Sequence, residues 1–127
     1  MTKVKNERRR YQRVEANIKV SFQPKGQQKI YPSLIINMSQ GGMLLKSSSV
    51  FPLDLILMIK IDKGTFSKKD ITIPASISRC DTIYEKELYH LAVAIDRSTK
   101  ETSKAIDDFY TGILEFKKKD SEQRLKN

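Results

Sequence analysis

Two short segments carry the residue types that could grip an anion. The first, Arg9-Arg10-Tyr11-Gln12-Arg13, sets two guanidinium groups four residues apart. The second, Asn37-Met38-Ser39-Gln40-Gly41-Gly42, brings an amide, a hydroxyl and two glycines into six residues. Arginine can hold a phosphate through two parallel hydrogen bonds. It also pairs with guanine O6 and N7 and stacks its planar cation on a purine face. Asn37 offers a base edge both a donor and an acceptor, and Ser39 offers a hydroxyl. Gly41 and Gly42 permit positive φ and let a ligand approach the backbone closely. Alone, each segment is a weak signal. Six of the first thirteen residues are basic, so an RxxxR spacing there is unremarkable. An Asn, Ser and Gly cluster is also the composition of a plain turn whose side chains bond their own backbone. Their order adds weight: one lies just before the first predicted hairpin and the other just after it, so a single strand pair brings them together.

Other chemistry is nearly absent. The sequence has no GxSxG, P-loop, HExxH or GxGxxG pattern. One histidine and one cysteine cannot supply a usual zinc ligand set. His90 falls on the polar face of its strand, and the acidic residues are scattered; Asp107 and Asp108 are neighbours on a helix and point different ways. Cys80 has no identifiable base partner and reads as a structural thiol. An enzyme is therefore not expected.

Around these segments the chain reads as strands. Val14, Ala16, Ile18, Val20 and Phe22 alternate with polar residues over nine positions. Gln23 to Gln28 is a turn cluster with Pro24 and Gly26. Further strands are expected over 31–36, 43–46, 53–61, 71–78 and 89–95, with Asn37 to Gly42 as a turn and Asp62-Lys63-Gly64 as a hairpin signal. Pro74 cannot donate to a ladder, which places its amide position at an edge or bulge. Six antiparallel strands with one wet face close most simply into a small barrel or a sandwich. After Ile95 the period changes. Ser98 followed by Glu101 reads as a capping box, and Ile106, Phe109, Tyr110, Ile113 and Leu114 form one apolar stripe. The spacing predicts an amphipathic helix from Thr99 to about Lys117.

The charge divides the chain. Its 127 residues carry a formal net charge of +9. Residues 1–13 hold +5 of it, residues 117–127 hold +3, and the 103 residues between hold +1. The organisation expected is a basic arm over 1–13, a nearly neutral domain over 14–117 and a basic tail over 118–127. Such an arm points to an anionic partner: nucleic acid, a membrane surface or a phosphorylated small molecule. The longest apolar runs, such as Leu55 to Ile59, are too short to span a membrane. MTKVKNERRR lacks the apolar segment of a secretory signal. A lone cysteine excludes an internal disulfide and fits a reducing, cytoplasmic setting.

The two segments together resemble the signature of PilZ domains, bacterial receptor domains for cyclic di-GMP. That signature is RxxxR followed by (D/N)xSxxG, met here by Arg9 to Arg13 and by Asn37 to Gly42, and the similarity runs over essentially the whole chain. A third family segment, YxxGVxF, corresponds to Tyr89 to Ile95, with Ala92 in place of Gly and Ile95 in place of Phe. The resemblance implies a six-stranded antiparallel barrel, a C-terminal helix and a flexible N-terminal arm. It implies that Arg9 and Arg13 hold guanine and phosphate, with Arg8 and Arg10 as supporting positions. Asn37, Ser39 and Gly42 would line the other wall, with Gly41 beside them. The ligand would be cyclic di-GMP, with no metal or other cofactor, and the output would pass to a protein target in motility, exopolysaccharide or adhesion control. A monomer and a homodimer both suit this reading. Two other readings stay open: a barrel that binds single-stranded nucleic acid nonspecifically, and a PilZ-like adaptor that binds no ligand. The neutral body and the inward aromatics weigh against the former, and the retained arginines and Ser–Gly turn against the latter.

Overall fold

A computed structural model describes residues 13–64 and 66–126, with side chains through residue 120. Six antiparallel strands close into a barrel: β1 (Val14–Pro24), β2 (Tyr31–Met38), β3 (Gly42–Ser47), β4 (Ile56–Ile61), β5 (Ile71–Tyr84) and β6 (Leu88–Ile95). Their order around the barrel is β1-β2-β3-β6-β5-β4, and β4 returns to β1. Closure decides between the barrel and the sandwich that alternation alone leaves open, and it removes unpaired edges. A helix, α1 (Lys100–Lys126), follows.

Alternation supplies the core. Phe22, Ile35, Leu45, Leu57, Ile59, Ile73, Ile77 and Leu91 are essentially inaccessible. Phe22, Tyr31 and Phe51 seal one barrel end, with Phe22 stacked on Tyr31 at 5.3 Å and Phe51 edge-on to both. The opposite end carries the β2–β3 turn and the β4–β5 connection, and α1 packs there through Ile106, Phe109, Tyr110 and Ile113. Pro74 sits where β5 faces Met58 of β4 and extends just past the end of β6, and its carbonyl accepts from the Asp96 amide at 2.9 Å. Its nitrogen points the same way as that carbonyl, past the end of β6, so the lack of an N–H costs no bond to β4.

Several boundaries differ from the sequence reading. The strand expected from Leu53 begins at Ile56, because Asp54 adopts φ 68° and Leu53 lies 60% exposed in the turn. Strand β5 continues through Cys80 to Tyr84, and Cys80 packs half-buried against the core. The helix cap is Thr99, not Ser98: Thr99 Oγ1 accepts from the Thr102 amide at 3.1 Å. The Ser98 amide instead donates to Asp96 Oδ1 at 2.9 Å. With no glycine or proline after Gly112 to stop it, α1 runs on to Lys126. Leu114, expected within the buried stripe, is 41% exposed, while its stripe neighbours are covered. Among the described residues no helix is long and apolar enough to cross a membrane.

Candidate functional site

Three bulges shape one outer face of the barrel. Pairing shifts by one residue between Glu15 and Ile18, between Ile35 and Asn37, and between Ile77 and Arg79. In β1 the irregularity includes Asn17 at φ 54°, a left-handed conformation that Asn tolerates better than most side chains. A bulge re-aims the residues beside it, and bulges recur next to functional sites. The outcome is a lateral row across five strands: Glu15 pairs with Asn37, Asn37 with Leu44, Leu44 with Ala92, and Ala92 with Arg79. The flanking Met38, Met43, Leu91 and Val93 are buried, so the row faces outward.

Arg13, Val14, Glu15, Asn37, Leu44 and Arg79 line a cleft of about 370 Å³ along this row. Arg13 Nη1 donates to Asn37 Oδ1 at 3.0 Å, so the end of the RxxxR segment meets the start of the second segment. Arg79 pairs through Nε with Asp81 Oδ2 at 2.7 Å, and the two side chains are 63% and 42% exposed. The cleft thus has arginine on two sides, one amide wall and an apolar floor of Leu44. Ala92, buried between Leu44 and Arg79 in the row, stands at the position where the family segment has glycine.

The second segment is less of a turn than its composition suggests. Asn37 and Met38 belong to β2 and Gly42 to β3, so only Ser39 to Gly41 turn. The Ser39 amide donates to the Gly42 carbonyl at 2.9 Å and closes the hairpin. Ser39 is buried, and its hydroxyl accepts from the Gly41 amide at 3.2 Å, so the side chain braces the turn. Gly42 is needed for space and not for positive φ: a Cβ there would lie 2.7 Å from the Val93 carbonyl oxygen. Arg8, Arg9 and Arg10 lie outside the described residues.

Arg97 holds the turn from the helix side. Arg97 Nη1 donates to the Gln40 carbonyl at 2.8 Å and Arg97 Nη2 to Asp107 Oδ1 at 2.9 Å. Neither Arg97 nor Arg79 stands out in the sequence, because each is one charged residue on a polar face. Their importance comes from register and from where α1 lands. A larger cleft of about 800 Å³ lies between the segment around Phe66 to Ile71 and α1, with Phe66, Phe109 and Gly112 among its walls. It contains none of the motif residues and mixes Lys68 and Lys69 with Asp108 and Glu115, so its charges give no preference for an anion. Among the described residues no cluster of His, Cys, Asp and Glu is arranged to hold a metal ion.

The PilZ domain family model matches residues 7–112. No curated protein matches the chain at a significant level. Solved structures do. The PilZ domain with c-di-GMP of YcgR from Escherichia coli superposes with a TM-score of 0.71 at 13% identity, covering 91% of this chain and 98% of that one. The PilZ domain of CeSA from a cellulose synthesizing bacterium gives 0.67 at 15% identity, covering 81% and 98%. The K. pneumonia MrkH–c-di-GMP complex gives 0.68 at 18% identity, covering 87% of this chain and 54% of MrkH, about half that protein's length. At such identities the likeness speaks for the fold, and the family match speaks for the rest of the chain's kinship. With a family model that matches residues 7–112, a closed six-stranded barrel, a C-terminal helix, and Arg13 and Asn37 meeting at one cleft, this chain belongs to the PilZ domain family.

Proposed function

We propose that this protein is a receptor for cyclic di-GMP. The observation that carries the reading is the contact between Arg13 and Asn37 at the mouth of the cleft, which joins the two signature segments. Support comes from family membership and from relatives described as bound to c-di-GMP, the YcgR domain and MrkH among them. Arg9 and Arg13 grip guanine and phosphate, assisted by Arg8 and Arg10. Asn37, Ser39 and Gly42 form the opposite wall, with Gly41 beside them. Two phosphates carry two negative charges, which the +5 of residues 1–13 complements.

In this reading the arm over 1–13 folds across the bound dinucleotide and presents a new surface to a partner protein in the cytoplasm. The domain binds and signals without chemistry. The barrel and helix form the receptor body, and the basic residues at the C-terminal end serve solubility. Isothermal titration of the full chain with cyclic di-GMP tests this. Heat of binding and a rise in melting temperature are expected, since a ligand that binds only the native state stabilises it by RT ln(1 + [L]/Kd). Absence of both at tens of micromolar ligand overturns the proposal. A gel shift on single-stranded DNA at 50 and 200 mM salt, run beside it, would reveal the steep salt dependence of a nonspecific nucleic-acid binder instead.

A further inference from the structure

The β2–β3 turn is fastened to α1 through Gln40, an unspecified position within the second segment, and through Arg97 and Asp107, which lie outside both segments. Gln40, the central residue of the turn, is held twice. Its carbonyl accepts from Arg97 Nη1 at 2.8 Å, and its Nε2 donates to Asp107 Oδ1 at 2.9 Å. The same Asp107 oxygen accepts from Arg97 Nη2 at 2.9 Å, closing a ring. Arg97 also donates to Ser103 Oγ, from Nη2 at 2.6 Å and from Nε at 3.2 Å. One guanidinium therefore spans the turn backbone and the first two turns of the helix. Its side chain is only 22% exposed, which limits screening by solvent.

The turn has little freedom to move on its own. The Ile95 amide donates to the Gly41 carbonyl at 3.0 Å, and Gly42 is pressed against the Val93 carbonyl. A displacement of Ser39 or Gly42 must break the link to β6 or the ring through Arg97 and Asp107. We infer that Gln40, Arg97 and Asp107 are positioning residues that couple occupancy of the ligand turn to the order of helix α1. This rests on the cyclic di-GMP reading above. A ligand that fixes Ser39 and Gly42 raises the free energy needed to open the ring, and so steadies residues 99–112. Binding linkage is reciprocal, so loosening the helix side weakens the ligand by the same factor. The helix is then the element that carries the ligand state away from the cleft.

The experiment is hydrogen exchange by mass spectrometry on the full chain, with and without cyclic di-GMP, alongside titration of the variants. In the unmodified chain, ligand should slow amide exchange over residues 99–112. Asp107→Ala should weaken ligand by about fivefold or more, the lower end of usual coupling strengths, and abolish that slowing. Gln40→Ala should act in the same direction while leaving the Arg97–Asp107 pair in place, which covers the case in which Asp107→Ala does not fold. Lys104→Ala, which breaks the exposed Lys104–Asp108 pair on the same helix, should do neither. A helix that merely needs Asp107 for stability would exchange faster in the variant yet still respond to ligand. Binding with unchanged helix exchange in the unmodified chain, or an affinity within twofold in both Asp107→Ala and Gln40→Ala, overturns the coupling alone. No binding of cyclic di-GMP by the unmodified chain overturns the ligand reading and the coupling with it.

Discussion

Arg13 Nη1 and Asn37 Oδ1 meet at 3.0 Å, although 24 residues separate them in sequence. The contact follows from register: Val14 pairs with Met38 and Glu15 with Asn37, so the residue just before β1 is brought against the end of β2. Because both side chains face one cleft, their contributions to ligand binding should not add. Arg13→Ala and Asn37→Ala are each expected to weaken cyclic di-GMP about tenfold, the size of one charge-assisted hydrogen bond. The double variant should lose less than the product, as measured in a double-mutant cycle by titration calorimetry. Losses that multiply would mean the two residues act independently.

Arg79 and Asp81 lie two residues apart on the same strand face, paired at 2.7 Å. In an anion site Asp81 competes with the ligand for that guanidinium. Asp81→Ala should therefore tighten cyclic di-GMP by severalfold and Arg79→Ala should loosen it. Both effects should shrink between 50 and 200 mM salt, because the two side chains are largely exposed. Titrations at the two salt concentrations read this out.

Gly42 and Gly64 make a matched pair for stability. A methyl at Gly42 would meet the Val93 carbonyl oxygen at 2.7 Å, whereas one at Gly64 meets nothing within 4 Å. Gly42→Ala should cost about 1–3 kcal/mol, as overpacking does. Gly64→Ala should fall within about 0.5 kcal/mol of the parent, as expected for an open surface position. Urea midpoints of the two variants give the comparison.

Thr99 and Ser98 separate the two candidate caps. Thr99 Oγ1 accepts from the Thr102 amide, so Thr99→Ala should destabilise the fold by about 1 kcal/mol. Ser98→Ala should cost clearly less, because the Ser98 amide contact to Asp96 survives the substitution. Equal losses in chemical denaturation would return the cap to Ser98.

The Ser98 amide, and then its hydroxyl, hold the Asp96 carboxyl below the usual carboxylate range, against a small opposing effect of burial. A depressed folded pKa contributes stability above the unfolded value and loses it as pH falls through the folded one. Asp96→Asn should therefore lower stability slightly at neutral pH, converge with the parent at low pH, and so flatten the acid limb of the profile. Melting temperatures from pH 2 to 7 test the sign.

Much of this protein is legible before folding. Strict alternation from Val14 to Phe22, and again from Ile71 to Ile77, dictates one-sided strands. The change of period after Ile95 dictates the helix. The charge at residues 1–13 and the two signature segments point to a bound anion and name most of its candidate contacts. These are local properties: spacing, side-chain chemistry and turn composition act over a few residues. The rest depends on residues brought together from far along the chain. Pairing shifts beside Asn17, Ile36 and Ser78 turn Glu15, Asn37 and Arg79 onto one face; the phase breaks they leave at Ile35–Met38 and Ile77–Cys80 look, in sequence, the same as strand ends. Thr99 caps the helix in preference to Ser98 because Asp96 holds the Ser98 amide. The bond between Gln40 and Asp107 spans 67 residues and exists only because α1 packs across the barrel end. The sequence determined what could bind. Barrel closure and helix docking decided which side chains face the cleft and which one holds its turn.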